Sequence, residues 1–396
     1  MGCLGDIFNV LVTLCSSIFD VGSDFINSLD FLGYNVSTTI AEKLVGATND
    51  TEIYEVHQVW GYVGLGIIWL PGLLLLPWFV LVSVSSKSCL YFILGLVLFA
   101  TYPLAMIVVE IGFLIHTCCN CKMDKGDNQM IMLFLIGTEA FYESFSQMVL
   151  QGFTIMYAYD PTNIQMLTIA ASFLLLSKTV ITYHITLDVV SLSLCQKMIQ
   201  ILKSIPIYCS SIVFRVFSFV LTISYLRNYS IFPISILFIE LGLLAYIRYR
   251  NEEFGDKQHP YARWVNIYTT TVSNAGVLNI STIKNASNIK DEDVKATRKF
   301  IRLSSITTFI HHSIVLITIL MVVIFHPDYL TDEQFKYLIL KPENKLFYPA
   351  FGVTIAIGLV SMILCITLAS KMNIVKKPTV QESTIEMEEK KSLSGP

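Results

Sequence analysis

The chain has 396 residues, of which 54% are hydrophobic and 14% charged, and its mean hydropathy is +0.62. Soluble domains average about 25% charged residues, so this composition indicates a polytopic helical membrane protein. The formal net charge of -3, without a basic stretch interleaved with aromatic residues, argues against nucleic acid as a partner. The sequence has no phosphate-binding loop, dinucleotide fingerprint or paired metal ligands, so we expect no cofactor and no metal.

Nine apolar segments are near or above the length that a helix needs to cross a bilayer. They lie near residues 7–33, 58–83, 89–115, 130–157, 163–193, 207–226, 230–248, 301–325 and 345–370. The loop 34–57 carries glycosylation sequons at Asn35 and Asn49, so we expect it outside the cytoplasm. The linker 249–300 holds eight lysines and arginines, so we expect it inside.

These two assignments conflict if all nine segments cross from a cytoplasmic N-terminus, because the linker would then lie outside. If one segment between residues 84 and 130 does not cross the membrane, every later loop falls on the side that its charge predicts. The segment 89–115 is the best candidate, since Pro103 breaks it and it carries Glu110. We therefore predict an all-α polytopic protein with about eight transmembrane helices, at least one re-entrant or kinked segment, and both termini in the cytoplasm.

The domain organisation is simple. Residues 1–370 form one helical membrane domain that includes the cytosolic linker 249–300. The tail 371–396 is charged and poor in apolar residues, so its composition predicts disorder. Most of the nine cysteines are scattered in or beside apolar runs, which is typical of buried small side chains rather than of a disulfide framework.

A polar stripe crosses the apolar run 130–157. On a helix its four members repeat every fourth residue and share one drifting face whose ends lie about 18 Å apart. They are Glu139, Glu143, Gln147 and Gln151. An ionised carboxylate at bilayer depth costs about 2.5–3.5 kcal/mol, and such residues usually face a bundle interior or a transport path. The alternative is that the stripe only holds helices together.

The first apolar segment contains a second acidic stripe. Asp20, Asp24 and Asn27 lie at positions i, i+4 and i+7, which places them on one helix face. Asp30, near the outer end of the same segment, is interpreted as an interfacial residue. The two stripes together predict an acidic interior.

Two basic residues lie inside later apolar segments. Lys178 is such a residue, and Asp188 lies towards the cytoplasmic end of the same segment. A lysine at this depth loses its charge or pairs with a carboxylate, and the acids of the two stripes are the expected partners. Arg215 lies at the centre of a further polar helix face. The other members of that face are Ser211, Ser218, Thr222 and Tyr225.

The charged segments, taken in order, resemble the XK-related membrane proteins, the family that includes apoptotic phospholipid scramblases. The matching pieces are D-V-G-S-D at 20–24, E-A-F-Y-E-S-F-S-Q-M-V-L-Q at 139–151, L-S-K-T-V-I-T-Y-H at 176–184 and V-F-R-V-F at 213–217. With the eight-span topology, the ordered set covers about residues 7–370. One departure is Ser146, where the family commonly has proline before the glutamine.

The resemblance implies a polar path through the membrane whose charged members bind lipid headgroups. Those members are Asp20, Asp24, Glu139, Glu143, Lys178, Asp188 and Arg215, and the stripe adds Gln147 and Gln151. The expected function is passive, bidirectional movement of phospholipids, phosphatidylserine among them, since no ATP-binding fingerprint is present. The expected location is the plasma membrane, and no enzymatic activity is expected.

Two other functions remain open. Acidic pairs with lysine and arginine also build the relays of ion- or proton-coupled transporters for small solutes. Polar stripes also join the helices of membrane scaffolds that stabilise a partner. Besides membrane phospholipids, the partners to expect are an accessory membrane subunit or a second copy of the chain.

Family members of the apoptotic type are switched on when a caspase cleaves a cytosolic tail, which makes a caspase a further expected partner. The tail 371–396 contains no aspartate. The only D-x-x-D sequence in a predicted cytosolic loop is Asp124–Asp127, so Asp127 is the candidate cleavage site. The alternative is an ordinary solvated loop.

Overall fold

The structure is a computed structural model that describes residues 2–34, 36, 58–86, 88–102, 104–120, 139–157, 163–188, 194–250, 291–326, 328, 338 and 340–371. In these ranges the regular structure is entirely helical. Ten α-helices occur there: α1 (Gly2–Phe31), α2 (Gln58–Ser86), α3 (Cys89–Thr101), α4 (Leu104–Asn120), α5 (Phe145–Tyr157), α6 (Asn163–Asp188), α7 (Leu194–Leu226), α8 (Ile231–Arg250), α9 (Asp291–Phe325) and α10 (Phe347–Lys371). A π-helix, Glu139–Ser144, precedes α5, and a 3₁₀ turn, Arg227–Ser230, joins α7 to α8.

Three helical stretches among the described residues are long and apolar enough to cross a membrane. They are Leu202–Leu244, Arg298–Phe325 and Phe347–Thr367. Shorter apolar helical stretches lie at Val59–Leu73, Phe92–Thr101 and Gln165–Ile181. The prediction of an all-α membrane protein is thereby confirmed.

The chain reverses direction between α7 and α8. Arg227 has φ 47°, in the left-handed region that residues other than glycine rarely adopt. Arg215 of α7 donates a hydrogen bond to Thr308 Oγ1 of α9 at 3.2 Å, and Glu240 of α8 lies 3.4 Å from His311 Nδ1 of α9. On one straight helix Arg215 and Glu240 would be about 37 Å apart. Helix α8 therefore folds back along α7.

Helix α1 runs antiparallel to α6. Asn27 Nδ2 donates to Thr168 Oγ1 at 2.5 Å, whereas Asp20, two turns earlier, accepts from Ser172 Oγ at 2.6 Å. Residue numbers rise along one helix as they fall along the other. These two contacts place the middle of α6 against the polar face of α1.

Small residues allow α1 and α2 to approach closely. A Cβ atom added to Gly64 would lie 2.5 Å from Ser28 Oγ, and one added to Gly61 would lie 2.8 Å from the Ser28 carbonyl oxygen. Further along the pair, the rings of Phe25 and Trp69 lie 6.4 Å apart, so α2 is antiparallel to α1. Close helix contacts at glycine are typical of membrane proteins, where packing rather than exclusion of water holds helices together.

Helices α3 and α4 meet at Tyr102, near the middle of α2. A Cβ atom added to Gly72 of α2 would lie 3.0 Å from Tyr102, and Gly95 of α3 lies against Phe79, nearer the C-terminal end of α2. Helix α3 therefore runs antiparallel to α2 and ends about half-way along it. The two helices have 13 and 17 residues. At about 1.5 Å per residue, each is shorter than the roughly 30 Å hydrocarbon core.

Two apolar clusters hold the later helices together. The first joins α5, α6, α7 and α8 and includes Phe145, Leu176 and Ile212. The second lies near the C-terminal end of α7, where the rings of Tyr225 and Phe351 lie 5.5 Å apart. Helix α9 contributes to both clusters, so α7 packs against α5, α6, α8 and α9 while side chains such as Phe217 remain exposed on its other face.

The polar stripe 139–151 does not lie on one regular α-helix. Its first residues form the π-helix Glu139–Ser144, and α5 begins only at Phe145. The assumption of unbroken α-helical spacing was wrong here, because the wider turns of a π-helix change the face on which the residues lie. Short π-helical segments are frequent at functional sites.

Candidate functional site

Helix α1 presents a polar face to the bundle interior and an apolar face outwards. The buried polar side chains are Ser17, Asp20, Ser23, Asp24, Asn27 and Ser28. On the opposite face Ile18 and Phe19 are 46% and 45% exposed. From Ser17 to Asn27 the polar face extends about 15 Å along the helix, which is roughly half the thickness of a hydrocarbon core.

Asp20 joins three helical segments. Its Oδ2 accepts a hydrogen bond from Ser144 Oγ at 2.8 Å, and its Oδ1 accepts one from Ser172 Oγ at 2.6 Å. Ser144 ends the π-helix, and Ser172 lies in the middle of α6. Both oxygens of this fully buried carboxylate are therefore satisfied. Asp20 positions α1 against its two neighbours.

Asp24, one turn beyond Asp20, is also fully buried but has different surroundings. Neither of its carboxylate oxygens has a hydrogen-bond donor among the described residues. The same holds for the side-chain oxygens of Gln147 and Gln151, which are both buried. All of these atoms are acceptors. The site therefore has an excess of acceptors, which a cationic or proton-donating group would satisfy.

Gln147 is linked to the region of Asp24 through α2. Its Nε2 donates to the Gly64 carbonyl oxygen at 3.1 Å, and Gly64 contacts the Ser28 side chain. Ser28 Oγ in turn donates to the Asp24 carbonyl oxygen at 2.8 Å. Residues of α1, α2, α5 and α6 thus surround one buried site. We call Asp20, Asp24, Asn27 and Gln147 the acidic cluster.

Glu110 brings α4 against the same face of α1. It is 1% exposed, and its Oε1 accepts a hydrogen bond from Ser17 Oγ at 3.0 Å. Its carboxylate also interacts electrostatically with the Lys178 ammonium of α6. The sequence marked Glu110 only as a sign of a segment that does not span, and other carboxylates were the predicted partners of Lys178. The sequence nevertheless held a signal for this position, because a lone carboxylate in an apolar helix usually faces protein rather than lipid.

The structure gives less detail for the other predicted site residues. Glu143 and Gln151 are buried, at 0% and 1% exposure. Glu139 and Asp188 lie at helix ends, and their side chains are outside the described part of the structure. The candidate modification sites also lie outside the described residues: they are Asn35, Asn49 and Asp127.

Arg215 is not part of the acidic cluster. Helix α7 turns Ile212 and Phe219 into the apolar cluster that it shares with α5 and α6. Arg215, which is completely buried, instead donates to Thr308 of α9. The structure therefore places this predicted cation and the aspartates of α1 in separate seams of the bundle, with apolar side chains between them.

The sequence analysis missed the hydroxyl groups that α6 presents to α1. Thr168 and Ser172 bind Asn27 and Asp20, and Gln165 is buried one turn earlier. Their spacing of three and four residues is helical. The signal is weak, however, because serine and threonine in apolar helices often bond to their own backbone.

Comparison with known proteins adds no family assignment. No protein-family model matches the chain, and no significant match was found among curated proteins. A buried column of hydrogen-bond acceptors can stabilise a positively charged group within hydrocarbon.

Proposed function

We propose that this protein is a phospholipid scramblase that moves lipids passively and in both directions between leaflets. The observation that carries the proposal is the buried column of acceptors along α1, in which Asp24 has no hydrogen-bond donor among the described residues. A headgroup that crosses hydrocarbon needs polar partners along its route, whereas its acyl chains can remain in lipid. The resemblance of the charged segments to XK-related proteins supports the same function.

The chemistry of the acidic cluster suits the amine of a lipid headgroup. The headgroups of phosphatidylserine and phosphatidylethanolamine end in a primary ammonium which, like that of lysine, carries three N–H donors. The acceptors to receive them are the two Asp24 oxygens and the Gln147 side-chain oxygen of the cluster, and the Gln151 oxygen lies one turn further along α5. The choline headgroup has no N–H donor, so we expect it to move more slowly.

The outer face of α1 supports a route shared with lipid. Ile18 and Phe19 are exposed, while Ser17 and Asp20 on the same turns are buried. A lipid that lies along α1 can therefore keep its acyl chains against apolar side chains while its headgroup follows the polar face. This arrangement requires α1 to separate locally from a neighbouring helix.

The proposed topology has eight spanning helices, a re-entrant hairpin formed by α3 and α4, and cytoplasmic termini at the plasma membrane. Supporting features are the antiparallel contacts of α1, the reversal at Arg227 and the position of Tyr102 half-way along α2. Deglycosylation of protein from surface-biotinylated cells tests it. A mobility shift that disappears in an Asn35→Gln/Asn49→Gln variant is expected, and a glycan at Asn279 of the linker would contradict it.

The direct test is lipid flip in proteoliposomes that contain the purified full chain. Asp24→Asn removes a charge with little change of shape, and Asp30→Asn at the end of the same helix is its matched control. A hydrogen bond to a charged group contributes about 1.5–3 kcal/mol, so loss of this carboxylate should slow flip roughly tenfold or more. Equal flip in wild type and Asp24→Asn, or no flip under activating conditions, would contradict the proposal.

The same flip assay tests the role of the polar stripe 139–151 and the proposed activation by cleavage, each with its own variants. Glu139→Gln/Glu143→Gln should also slow flip if the stripe lines the path, whereas loss of expression or partner assembly favours the scaffold function. Nicking of the loop 116–129 by protease tests activation. If a caspase is the trigger, apoptotic lysate cleaves the chain at Asp127, and Asp127→Ala prevents the cut. Failure of the wild type to flip until an accessory subunit or second copy is supplied would identify that partner.

A second candidate function is favoured by one electrostatic interaction. The interaction of Glu110 with Lys178 places an acid and a base together inside the bundle, as proton-coupled transporters of small solutes require. Such a protein would move protons into liposomes when a substrate gradient is imposed, and Glu110→Gln would abolish that flux. Lipid flip without proton movement would exclude this function.

A further inference from the structure

Glu240 of α8 and His311 of α9 form an acid–base pair outside the acidic cluster. Glu240 Oε2 and His311 Nδ1 lie 3.4 Å apart, and the two side chains are 36% and 10% exposed. By contrast, the carboxylates of Asp20, Asp24 and Glu110 are buried. The Glu240 side chain is therefore partly open to the surroundings of the bundle.

Both residues of the pair lie near the middle of the hydrocarbon core. Glu240 lies about 14 Å along α8 from Ile231, where the helix begins, and about 12 Å from Arg248. His311 lies about 20 Å from each end of the apolar stretch Arg298–Phe325. In a core about 30 Å thick, the Glu240 side chain is too short to reach either membrane surface.

His311 does not satisfy this carboxylate by itself. Glu240 Oε2 is a buried atom, and it has no hydrogen-bond partner among the described residues. A carboxylate at bilayer depth is costly, and such residues almost always face protein or water. Acyl chains have no donor to offer. The open side of Glu240 therefore requires a donor from a molecule that packs against α8 and α9.

The faces that flank the pair are apolar. Residues with exposed side chains on this side of the two helices are Phe232, Ile236, Ile239 and Leu243 of α8, and Ile310, Ile314, Ile317 and Met321 of α9. Thr318, which is also exposed, donates its hydroxyl to the Ile314 carbonyl oxygen of its own helix. We call the surface between these two rows, with Glu240 and His311 between them, the α8–α9 groove.

A transmembrane helix fits the α8–α9 groove better than a lipid headgroup does. A headgroup needs polar partners along its whole route through hydrocarbon. The groove instead offers an acid–base pair at mid-depth between rows of apolar side chains. A helix with one polar residue near its centre needs a single complementary point at that depth, and such contacts help to hold membrane helices together.

A second copy of the chain does not supply a suitable cation. In the described helices the lysine and arginine near mid-span are Lys178 and Arg215. Lys178 interacts electrostatically with Glu110 inside the bundle, and Arg215 is completely buried. Two copies that met at α8 and α9 would also bring two Glu240 carboxylates together at bilayer depth, which is unfavourable. The positive charge must therefore come from a different protein.

We propose that the α8–α9 groove binds one transmembrane helix of another protein, and that this helix carries a lysine or arginine near its centre. The cation lies against Glu240, and the apolar residues around it pack against Ile236, Ile239 and Ile314. The sign and depth of the charge follow from Glu240, and the shape of the partner follows from the apolar rows. The inference does not depend on lipid transport.

The test uses the purified full chain in phosphatidylcholine proteoliposomes and a synthetic transmembrane helix as the probe. The probe has about 20 leucines and alanines with one central lysine. Control probes carry a central leucine, a central glutamate or a lysine near one end. Energy transfer between a fluorophore on the tail of the chain and one on the probe measures binding. We expect saturable binding of the central-lysine probe and at least about fivefold weaker binding of the others.

Variants and crosslinks locate the site. Glu240→Gln removes the charge with little change of shape and should weaken binding of the central-lysine probe about fivefold or more. Asp30→Asn, at the end of α1, is the matched control and should bind normally. A photoreactive benzoylphenylalanine in place of Ile314 should crosslink to the probe, whereas one in place of Leu174, an exposed residue of α6, should not. These crosslinks still decide the outcome if Glu240→Gln fails to fold.

Five outcomes would overturn the proposal. Three are equal binding of the central-lysine and central-leucine probes, unchanged binding in Glu240→Gln, and crosslinking from position 174 as strong as that from position 314. The fourth is energy transfer between two copies of the chain that Glu240→Gln removes, which would assign the groove to self-association. The fifth is displacement of the probe by phosphatidylethanolamine, which would assign it to a lipid amine.

Discussion

Two aspartates one turn apart on α1 lead to opposite predictions for stability. Asp20 accepts hydrogen bonds from Ser144 and Ser172, whereas Asp24 accepts none from a described side chain. Both carboxylates are completely buried. Substituting each by alanine removes the same group from the same helix at similar depth, so the two variants control for one another.

The magnitudes follow from these contacts. Hydrogen bonds to a charged group contribute about 1.5–3 kcal/mol each, so the two bonds of Asp20 contribute roughly 3–6 kcal/mol. Burial of a carboxylate at bilayer depth costs about 2.5–3.5 kcal/mol. Asp20→Ala should therefore lower the free energy of unfolding by about 0–3 kcal/mol. Asp24→Ala should raise it by up to about 3 kcal/mol.

The assay is unfolding of both variants and wild type in the same detergent, alongside lipid flip in proteoliposomes. The burial cost cancels in the comparison, so the two variants should differ by roughly 3–6 kcal/mol. Lipid flip should be slower in both variants. Asp24→Ala should therefore be more stable than wild type but less active, a trade-off that is common at functional sites. Equal destabilisation by the two substitutions would refute the reasoning, because Asp24 would then have a partner of its own.

Three further predictions concern packing and pairing. Gly64→Leu should destabilise the fold by about 1–3 kcal/mol, measured by unfolding, because the larger side chain overpacks against Ser28. It should also slow lipid flip, because it displaces α2 from the acidic cluster. Glu110→Gln and Lys178→Met should be coupled, with a double-mutant interaction of about 0.5–3 kcal/mol in unfolding experiments. Tyr225→Phe removes a hydrogen bond to a loop carbonyl and should cost about 0.5–1.5 kcal/mol without affecting flip.

Two of these predictions have a matched control, and the third has an outcome that would contradict it. Gly66→Leu on the same helix has open space around its Cβ position and should be tolerated. Glu110→Gln with Lys203→Met, at an exposed lysine of α7, should give additive effects. A loss of flip in Tyr225→Phe as large as that in Asp24→Asn would indicate that the C-terminal end of α7 belongs to the path.

Several features could be predicted because they depend only on composition and helical periodicity. Low charge and long apolar runs predict a membrane protein, and the spacing of Asp20, Asp24 and Asn27 predicts their common face. Their burial in the structure agrees with that spacing. The π-helix at Glu139–Ser144 was not predicted, because a change from α- to π-helical turns depends on local packing that periodicity does not encode.

The sequence by itself determined that this is an all-helical membrane protein and which faces of its helices are polar. Only the tertiary structure decided which of those faces meet. It placed Ser144 and Ser172 on Asp20, brought Glu110 to Ser17, and directed Arg215 into a different seam. The physical reason is that lipid is as apolar as a helix surface. Helical spacing therefore shows that a polar face must find a protein partner, and the packing of the whole bundle selects which helix provides it.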